Sequence, residues 1–444
     1  MATTYLTRAQ VAGNRQTFTQ SFWVKLSNTT DQGLISSFND STSYSYCYID
    51  SSTQQLQLQW KSGSVVAQLN TNRKFRDTSG WYNIIYAVDT TQSTDSDRIK
   101  LYINGVQETS FSTATYPGQI LSEVNDNGTT QYIGSVDGTQ QYVNGSMSYV
   151  AQIDGTQELP GIFGETDSTT GEWKIKTTIT PSVAWGNNGF LILKNGNSVT
   201  DQSGKGNNFT LGGGTLTNTK DCPDNVFATW NASIGNMDTL TNGNTTVARS
   251  GSGWRGAFSS LPLPTTGKFY CEFKISSGSN LADLRAGIAD DSFDGSIDLQ
   301  NRGQVNQLGE QTNGISYTAG NGNADINGTT TASYGSAIST SNVLGMAVDM
   351  TNMKLYFSKD GVFQNSGDPT SGATGTGALA IPATLGKYFV AVGVNTSAWH
   401  VNFGNGTFGT TAITSAGTPG STPGEFEYDV PTGYQPLTTK GLNA

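Results

Sequence analysis

Three acidic side chains near the C-terminus have the spacing closest to catalytic chemistry in this sequence. Glu425, Glu427 and Asp429 alternate with two aromatic residues, which would place the three carboxylates on one face of a strand. A glycosidase needs two carboxylates that flank the bond it cleaves. Concanavalin-like glucanases place their carboxylates as Glu-x-Asp with a further Glu, and the order and types of these three differ from that motif. The three also follow a Gly- and Pro-rich stretch at residues 417–424. We therefore expect an exposed segment whose aromatic residues pack inward, with polysaccharide hydrolysis as the alternative.

Histidine-dependent catalysis rests on one residue, because His400 is the only histidine of the chain. It lies between Trp399 and Val401, and this alternation predicts a strand with His400 on the face opposite its apolar neighbours. Serine–histidine catalysis would require this single ring as its base, and one chain cannot supply a site with two histidine ligands. The sequence favours a structural or surface histidine and predicts that the protein is not an enzyme.

An acidic segment in the second half of the chain has part of the spacing of a calcium loop. It supplies oxygens at positions 1, 3, 5 and 9 of that spacing from Asp290, Ser292, Asp294 and Asp298. Position 12, where a bidentate Glu is expected, is an asparagine. The residues on either side of the segment predict a strand and a loop instead of the two helices that flank such a calcium loop. An acidic solvated loop explains the segment as well. We predict no cofactor, with calcium at this loop as the alternative and Asp95 with Asp97 as a weaker second candidate.

Aromatic residues near amides and hydroxyls are the candidates for sugar binding, because an aromatic ring offers an apolar face and a polar edge. The candidate ligand-binding residues are Tyr44, Tyr46, Tyr48, Trp60, Trp254 and Arg255. The alternation of residues 44–48 puts three tyrosines on one face of a strand, which is either a ligand face, an inner core face or a packing interface. Trp254 follows a Gly-Ser loop and is either a ligand contact or a tryptophan buried under a sandwich.

The composition indicates a folded β-protein. Charged residues make up 13% of the 444 residues, against roughly 25% in a typical soluble protein, while aromatic residues make up 10%. The net charge of −10 and the lack of a Lys/Arg cluster argue against a nucleic-acid partner.

No apolar run reaches the length of a membrane helix, and residues 1–8 lack the features of a signal peptide. The three cysteines, Cys47, Cys222 and Cys271, form no disulfide or zinc pattern.

Strand patterns recur in two blocks. Residues 54–60 alternate polar and apolar side chains, residues 81–88 form an apolar run, and residues 98–106 end in an Asn-Gly turn that predicts a hairpin. The second block contains residues 267–275 and, at residues 354–362, another hairpin with an Asp-Gly turn. These patterns predict an all-β chain made of two tandem antiparallel β-sandwiches with a Gly/Asn-rich connector.

The first block resembles laminin-G-like and concanavalin-A-like jelly rolls. The resemblance is carried by residues 18–25, 81–84, 101–105, 132–134 and 143–155. It covers roughly residues 5–165 and implies a sandwich fold used for binding.

The second block resembles a SPRY domain, which is another two-sheet sandwich. The matching stretches are residues 267–273, 286–289, 343–349 and 355–361. From the two resemblances we expect a jelly roll at residues 1–165, a connector at 166–225, a SPRY-like sandwich at 226–405 and a C-terminal tail at 406–444.

The joint resembles a connector of tailed-phage proteins that pair these two folds. It comprises residues 201–210 and 221–231, and the ending at residues 401–404 and 431–437 is similar too. The resemblance implies a virion surface protein that is made in the host cytoplasm and released on lysis. Because the lectin-like pattern begins almost at Met1, a capsid decoration or head fibre is favoured over a tail-fibre receptor-binding protein.

The expected function is therefore non-enzymatic adhesion or binding of host-surface carbohydrate. The expected partners are other virion proteins and host glycans, with a homo-oligomer, no nucleic acid and no membrane insertion. A cellular or secreted lectin is a further alternative.

Overall fold

The computed structural model describes residues 3–232, 239–251, 253–278, 281–290, 308–309, 314–383, 386–420 and 423–442, which form two compact units, Met1–Asn218 and Thr219–Ala444. The strands of the first unit are β1 (Tyr5–Ala9), β2 (Thr17–Leu26), β3 (Gln32–Asp40), β4 (Ser43–Ile49), β5 (Gln55–Ser62), β6 (Ser64–Lys74), β7 (Tyr82–Asp89), β8 (Ile99–Ile103), β9 (Val106–Glu108), β10 (Phe111–Thr115), β11 (Thr130–Ile133), β12 (Gly145–Asp154), β13 (Gly164–Thr166), β14 (Trp173–Ile175), β15 (Phe190–Ile192) and β16 (Thr210–Gly213).

The second unit is also built from strands. They are β17 (Thr239–Thr241), β18 (Thr246–Ala248), β19 (Arg255–Phe258), β20 (Lys268–Gly278), β21 (Leu284–Asp290), β22 (Gly314–Thr318), β23 (Ala324–Ile326), β24 (Thr329–Thr331), β25 (Val343–Asp349), β26 (Lys354–Lys359), β27 (Val362–Phe363), β28 (Leu379–Ala380), β29 (Tyr388–Val394), β30 (Ser397–Asn402), β31 (Thr407–Phe408), β32 (Thr411–Ala412) and β33 (Gln435–Pro436). One short helix, α1 (Thr439–Leu442), follows, and short 3-10 turns lie at Asp95–Asp97, Pro160–Ile162, Leu281–Asp283 and Gly372–Thr374.

The predicted all-β fold is confirmed in both units. The first unit has an eight-stranded sheet in the order β10-β6-β5-β4-β3-β11-β1-β16 and a six-stranded sheet in the order β15-β12-β2-β7-β8-β9. In the second unit, one sheet follows the order β17-β18-β30-β20-β25-β26-β27 with β28 and β33 added, and the other follows β19-β29-β21-β22-β23-β24. Apolar side chains form one large buried cluster in each unit.

Both predicted hairpin turns are confirmed. Asn104 and Gly105 have φ values of 48° and 77° between β8 and β9, and Asp360 and Gly361 have φ values of 48° and 79° between β26 and β27. Two successive positive φ values are what a type I′ turn requires, and Asn-Gly and Asp-Gly adopt them at low cost. No helix among the described ranges is long and apolar enough to cross a membrane.

Most of the predicted connector, up to Asn218, belongs to the first unit, and its strands β15 and β16 close that sandwich. β15 pairs with β12, and β16 pairs with β1. Phe190 and Phe209 are buried in the core, with their ring centroids 4.8 Å apart. The Gly/Asn-rich composition suggested a linker, but the apolar residues between those turns supply core surface and sheet edges.

The predicted C-terminal tail likewise belongs to the second unit. β33 pairs in parallel with β20, and Phe426 and Tyr434 are buried in a cluster over the outer face of that strand. The start of the unit pairs with its end, because the amide of Ala228 donates to the carbonyl of Leu437. The segment is sparse in regular structure, yet its buried aromatic residues make it part of the fold.

Candidate functional site

Three tyrosines of β4 form a ladder on the outer face of the eight-stranded sheet. Tyr44, Tyr46 and Tyr48 are half-buried, whereas Ser45 and Cys47, which alternate with them, are buried on the inner side. Successive residues of a strand point to opposite faces, so the inward packing of the alternating residues fixes the tyrosines outward. The predicted common face is confirmed, and it is the outer face rather than the core face.

The aromatic rings of this ladder lie close to one another. The centroids of Tyr44 and Tyr46 are 4.9 Å apart with an interplanar angle of 10°, and those of Tyr46 and Tyr48 are 5.1 Å apart at 89°. Phe38 on β3 extends the row, 6.1 Å from Tyr44 at 11°. The arrangement gives the outer face a continuous aromatic surface along β4.

Amide side chains on β5 and β6 continue the ladder into a polar network. Gln59 accepts hydrogen bonds from both Tyr44 and Tyr46 at its Oε1 atom, each at 2.8 Å. Its Nε2 donates to Gln68 at 3.3 Å, and Gln68 donates to Asn70 at 3.2 Å. Aromatic rings and amides therefore lie side by side, which is a surface suited to a ligand with both apolar and hydroxyl groups.

Burial keeps the hydroxyls of Tyr46 and Tyr48 protonated. Burial raises the pKa of Tyr46 well above its ordinary value, with Tyr44 and Tyr48 adding to the effect. Burial, followed by the nearby carboxylates of Asp50 and Asp31, raises the pKa of Tyr48 to about 12. These two side chains can therefore donate and accept hydrogen bonds as neutral groups at any physiological pH.

A loop and a lysine border the ladder. Ser36 on β3 pairs with Tyr46 in the sheet, and its hydroxyl donates to the carbonyl of Val136 at 2.7 Å, so the loop that follows β11 covers this part of β3. On the other side, Lys61 on β5 holds its Nζ atom 5.8 Å from the centroid of the Tyr44 ring. The tyrosines are thus framed by a loop over β3 and by a cationic side chain on β5.

Trp60 does not belong to this face, and its predicted grouping with the tyrosines is wrong. It is buried in the core, with its ring stacked on Phe18 at 6.2 Å. Trp60 pairs with Ser45 across β4 and β5, and directly opposed residues of neighbouring strands share a face. The tyrosines sit one residue away from that position and therefore point to the other face.

Trp254 and Arg255 lie in the second unit, where both side chains are half-buried. The guanidinium of Arg285 lies 5.6 Å from the Trp254 ring, and Arg285 forms a buried ion pair with Asp325 at 2.8 Å. Arg255, on β19, donates to the carbonyl of Trp254 at 3.0 Å. These contacts favour the packing alternative for Trp254; its role as a ligand contact stays a prediction.

The described residues do not form a calcium site at either candidate segment. Asp290 is buried at the end of β21, whereas Ser292, Asp294 and Asp298 lie outside the described residues. Asp95 pairs with Arg98, and Asp97 pairs with Lys100 at 3.3 Å. Within the described ranges, no group of His, Cys, Asp and Glu is arranged to hold a metal ion. The expectation of no cofactor stays a prediction, which chelation tests through the melting temperature.

The three C-terminal carboxylates do not line one face of a strand, because residues 425–429 do not form a strand. Glu425 pairs with Lys220 at 3.0 Å, Glu427 lies 4.0 Å from Lys274, and Asp429 accepts from the amide of Thr418 at 2.6 Å. The expected inward packing holds for Phe426, which is buried, whereas Tyr428 is only half-buried.

The buried carboxylate of Glu272 is a feature of the second unit that the sequence did not predict. On the outer face of β20, it accepts from the amides of Glu427 and Tyr428 at 2.8 and 2.9 Å, and from Asn402 Nδ2 at 3.2 Å. Burial raises the pKa of Glu272 to about 7, although these three donors act in the opposite direction. The alternation of residues 269–275 could have indicated an outward Glu272, but nothing in the local sequence indicated the segment that covers it.

Comparison with known proteins finds a similarity to one family in part of the first unit. Residues 2–156 match the Laminin_G_3 family, described as the concanavalin A-like lectin/glucanases superfamily. The match ends before β13, so β15 and β16 extend beyond it. No curated protein matches the chain in sequence.

Among solved structures, the chain is similar to the SPRY domain of human HERC1, with 13% identity and a TM-score of 0.30 over 39% of this chain and 96% of that one. A second human SPRY domain has 15% identity and a TM-score of 0.27 over 35% and 90%. A heptameric SAP-like pentraxin from Limulus polyphemus has 16% identity and a TM-score of 0.26 over 34% and 69%.

Proposed function

We propose that the protein is a non-enzymatic carbohydrate-binding protein whose first unit binds glycans on the tyrosine ladder. The observation that carries the proposal is the combination of the stacked Tyr44 and Tyr46 rings with the shared acceptor Gln59. The apolar face of a sugar ring packs against an aromatic ring, and its hydroxyls bond to amides and phenols. The match of residues 2–156 to a lectin and glucanase superfamily supports the same class of ligand.

The positions of the three C-terminal carboxylates favour binding without hydrolysis. Each of the three contacts a different group: Glu425 pairs with Lys220, Glu427 lies near Lys274, and Asp429 accepts from the amide of Thr418. All three carboxylates are in the second unit, whereas the ladder is in the first. A glycosidase would need two carboxylates facing one bond.

The direct test is a glycan array probed with the intact protein, followed by incubation of each bound polysaccharide with the protein and an assay for new reducing ends. The proposal predicts binding without new reducing ends. Failure to retain any glycan would overturn carbohydrate binding, and release of reducing ends would overturn the non-enzymatic role.

The proposed place of action is the surface of a bacterial virus particle, as a capsid decoration or head fibre that adheres to host-surface glycans. The support is the resemblance of residues 201–210 and 221–231 to the joint of tailed-phage proteins. A virion displays many copies of a surface protein, and linked weak sites gain avidity without new contacts. Immunogold labelling should mark the heads; gold at the tail would favour a tail-fibre receptor-binding protein, and unlabelled particles would favour a cellular or secreted lectin.

A further inference from the structure

A pocket of about 330 Å³ opens on the outer face of the larger sheet of the second unit. Its floor is formed by Lys274 and Ser276 of β20 and by His400 of β30, and its walls by the hairpin β31–β32, the residues after it and Glu427. Small-ligand sites in proteins have volumes of about 300–1,000 Å³ and a few convergent polar groups. This pocket reaches the lower end of that range, which suits a single small molecule.

Two opposite charges lie side by side in the lining of the pocket, without a short hydrogen bond between them. Lys274 Nζ lies 4.0 Å from a carboxylate oxygen of Glu427, longer than a charge-assisted hydrogen bond. The ammonium also lies 5.5 Å from the centroid of the Phe408 ring, within the range of a cation–π contact. A donor and an acceptor are thus held side by side, and a hydroxyl between them could bond to both.

The only histidine of the chain supplies a third polar group. Its Nδ1 atom lies 2.7 Å from Thr246 Oγ1, which also accepts from Asn242 Nδ2 at 2.9 Å. Burial, aided by Lys274, lowers the pKa of His400, so the ring is neutral at physiological pH. When the threonine hydroxyl donates to Nδ1, the remaining ring hydrogen is on Nε2. His400 then adds a neutral donor to the pocket.

Gly409 makes room for this ring. Its φ of +62° is unfavourable for other residues, and a Cβ atom there would lie 2.7 Å from His400 Cε1. The turn between β31 and β32 can therefore lie directly over the imidazole. The backbone of Glu427 is anchored to β20, because its amide donates to the buried Glu272 at 2.8 Å. The polar groups are thus positioned by the fold rather than by flexible loops alone.

We propose that this pocket binds one sugar residue or a similar small neutral polyol, at a site separate from the tyrosine ladder. An anion would be repelled by Glu427 and a cation by Lys274, whereas a polyol meets both, because each hydroxyl donates and accepts a hydrogen bond. Ser276 and Ser415 add two more hydroxyls of the same dual character. This assignment goes beyond the proposed function, since it places a second ligand site in the other unit.

The single histidine makes the test specific. In protein labelled at histidine, the ring resonances report on His400 alone, and they are followed while glucose, galactose, mannose and N-acetylglucosamine are added separately. We expect at least one sugar to shift these resonances in a saturable way at millimolar concentration. Lys274→Met and Glu427→Gln should each weaken that binding at least tenfold, which corresponds to about 1.4 kcal/mol.

Two controls separate this site from the ladder and from loss of folding. Lys359→Met changes a lysine of the same sheet outside the pocket, and Tyr46→Ala removes a ladder residue; both should leave the histidine shift unchanged. Each pocket variant must keep the wild-type melting temperature, and the Glu427→Gln change retains the shape of the side chain. The proposal is overturned if no sugar shifts the histidine, if both pocket variants respond like wild type, or if inorganic phosphate is bound in preference to sugar.

Discussion

The phenol rings of Tyr44 and Tyr46 stack at 4.9 Å, and both hydroxyls donate to the same oxygen of Gln59. Two residues that follow each other on one strand face are thereby fixed as a pair. An amide oxygen has two lone pairs, so Gln59 satisfies both donors and leaves its own nitrogen to Gln68. The ring contact and the shared acceptor hold the pair in one arrangement without a ligand, and such preorganisation lowers the entropy cost of binding.

Removing the shared acceptor should weaken glycan binding more than it weakens the fold. In Gln59→Leu the two phenols lose their acceptor, but water can replace it because both rings are half-buried. We expect severalfold weaker binding and a change of only about 1 kcal/mol in the free energy of unfolding. Calorimetric titration and urea unfolding measure the two effects. Val106→Ala, at an exposed position of the other sheet, serves as the control.

Glu272 should make the stability of the second unit depend on pH. Burial raises its pKa to about 7 in the folded protein, so the folded state holds the proton more tightly than the unfolded state. Its contribution to the free energy of unfolding is therefore complete below about pH 4 and decreases as the pH rises through 7, by about 1.4 kcal/mol for each unit of pKa difference.

The check is urea unfolding of wild type and Glu272→Gln at about pH 5 and about pH 8. The wild type should lose more stability between these two conditions than the variant does. Parallel profiles would contradict the raised pKa. The variant should also be less stable at the lower pH, because its amide nitrogen would face donors from the covering segment.

Residues 190–213 should be essential to the first unit. Phe209 packs against Phe190, and the guanidinium of Arg8 lies 5.5 Å from the centroids of both rings. Phe209→Ala should lower the free energy of unfolding by about 3–5 kcal/mol, as for other buried phenylalanines. Leu211→Ala, an exposed position on β16, which begins directly after Phe209, should change it by less than about 0.5 kcal/mol. Similar losses in the two variants would mean that this segment is not part of the core.

The thiols should react slowly in the native protein, and in a definite order. Cys47 and Cys271 are buried and Cys222 is half-buried, and burial raises the pKa of all three thiols. A thiol reacts as its thiolate, so both access and ionisation are limited. With an aromatic disulfide reagent, we expect Cys222 to be labelled first and Cys222→Ser to lack that first phase. Rapid labelling of all three would contradict the described packing.

The strands were predictable because their signals are local. Alternation at residues 54–60 and the Asn104-Gly105 and Asp360-Gly361 turns each depend on neighbouring residues only. The extent of each unit was not predictable in this way. Pairing of β16 with β1 and of β33 with β20 joins residues far apart in sequence, and the Gly-rich composition of those segments suggested linkers.

The candidate site was predicted in part for the same reason. The common face of Tyr44, Tyr46 and Tyr48 follows from strand alternation, but the register of β4 against β5 does not, and this register decides that Gln59 rather than Trp60 lies beside the tyrosines. The pocket at His400 depends on a hairpin and on Glu427, which meet only in the folded chain.

The most direct test of the carbohydrate-binding proposal compares Tyr46→Ala with Tyr46→Phe in titrations with the strongest glycan found on the array. The alanine variant removes the central ring and should abolish measurable binding, whereas the phenylalanine variant keeps the stacking surface and should lose only severalfold affinity. If the alanine variant binds the glycan as tightly as wild type at an unchanged melting temperature, the tyrosine ladder is not the binding site.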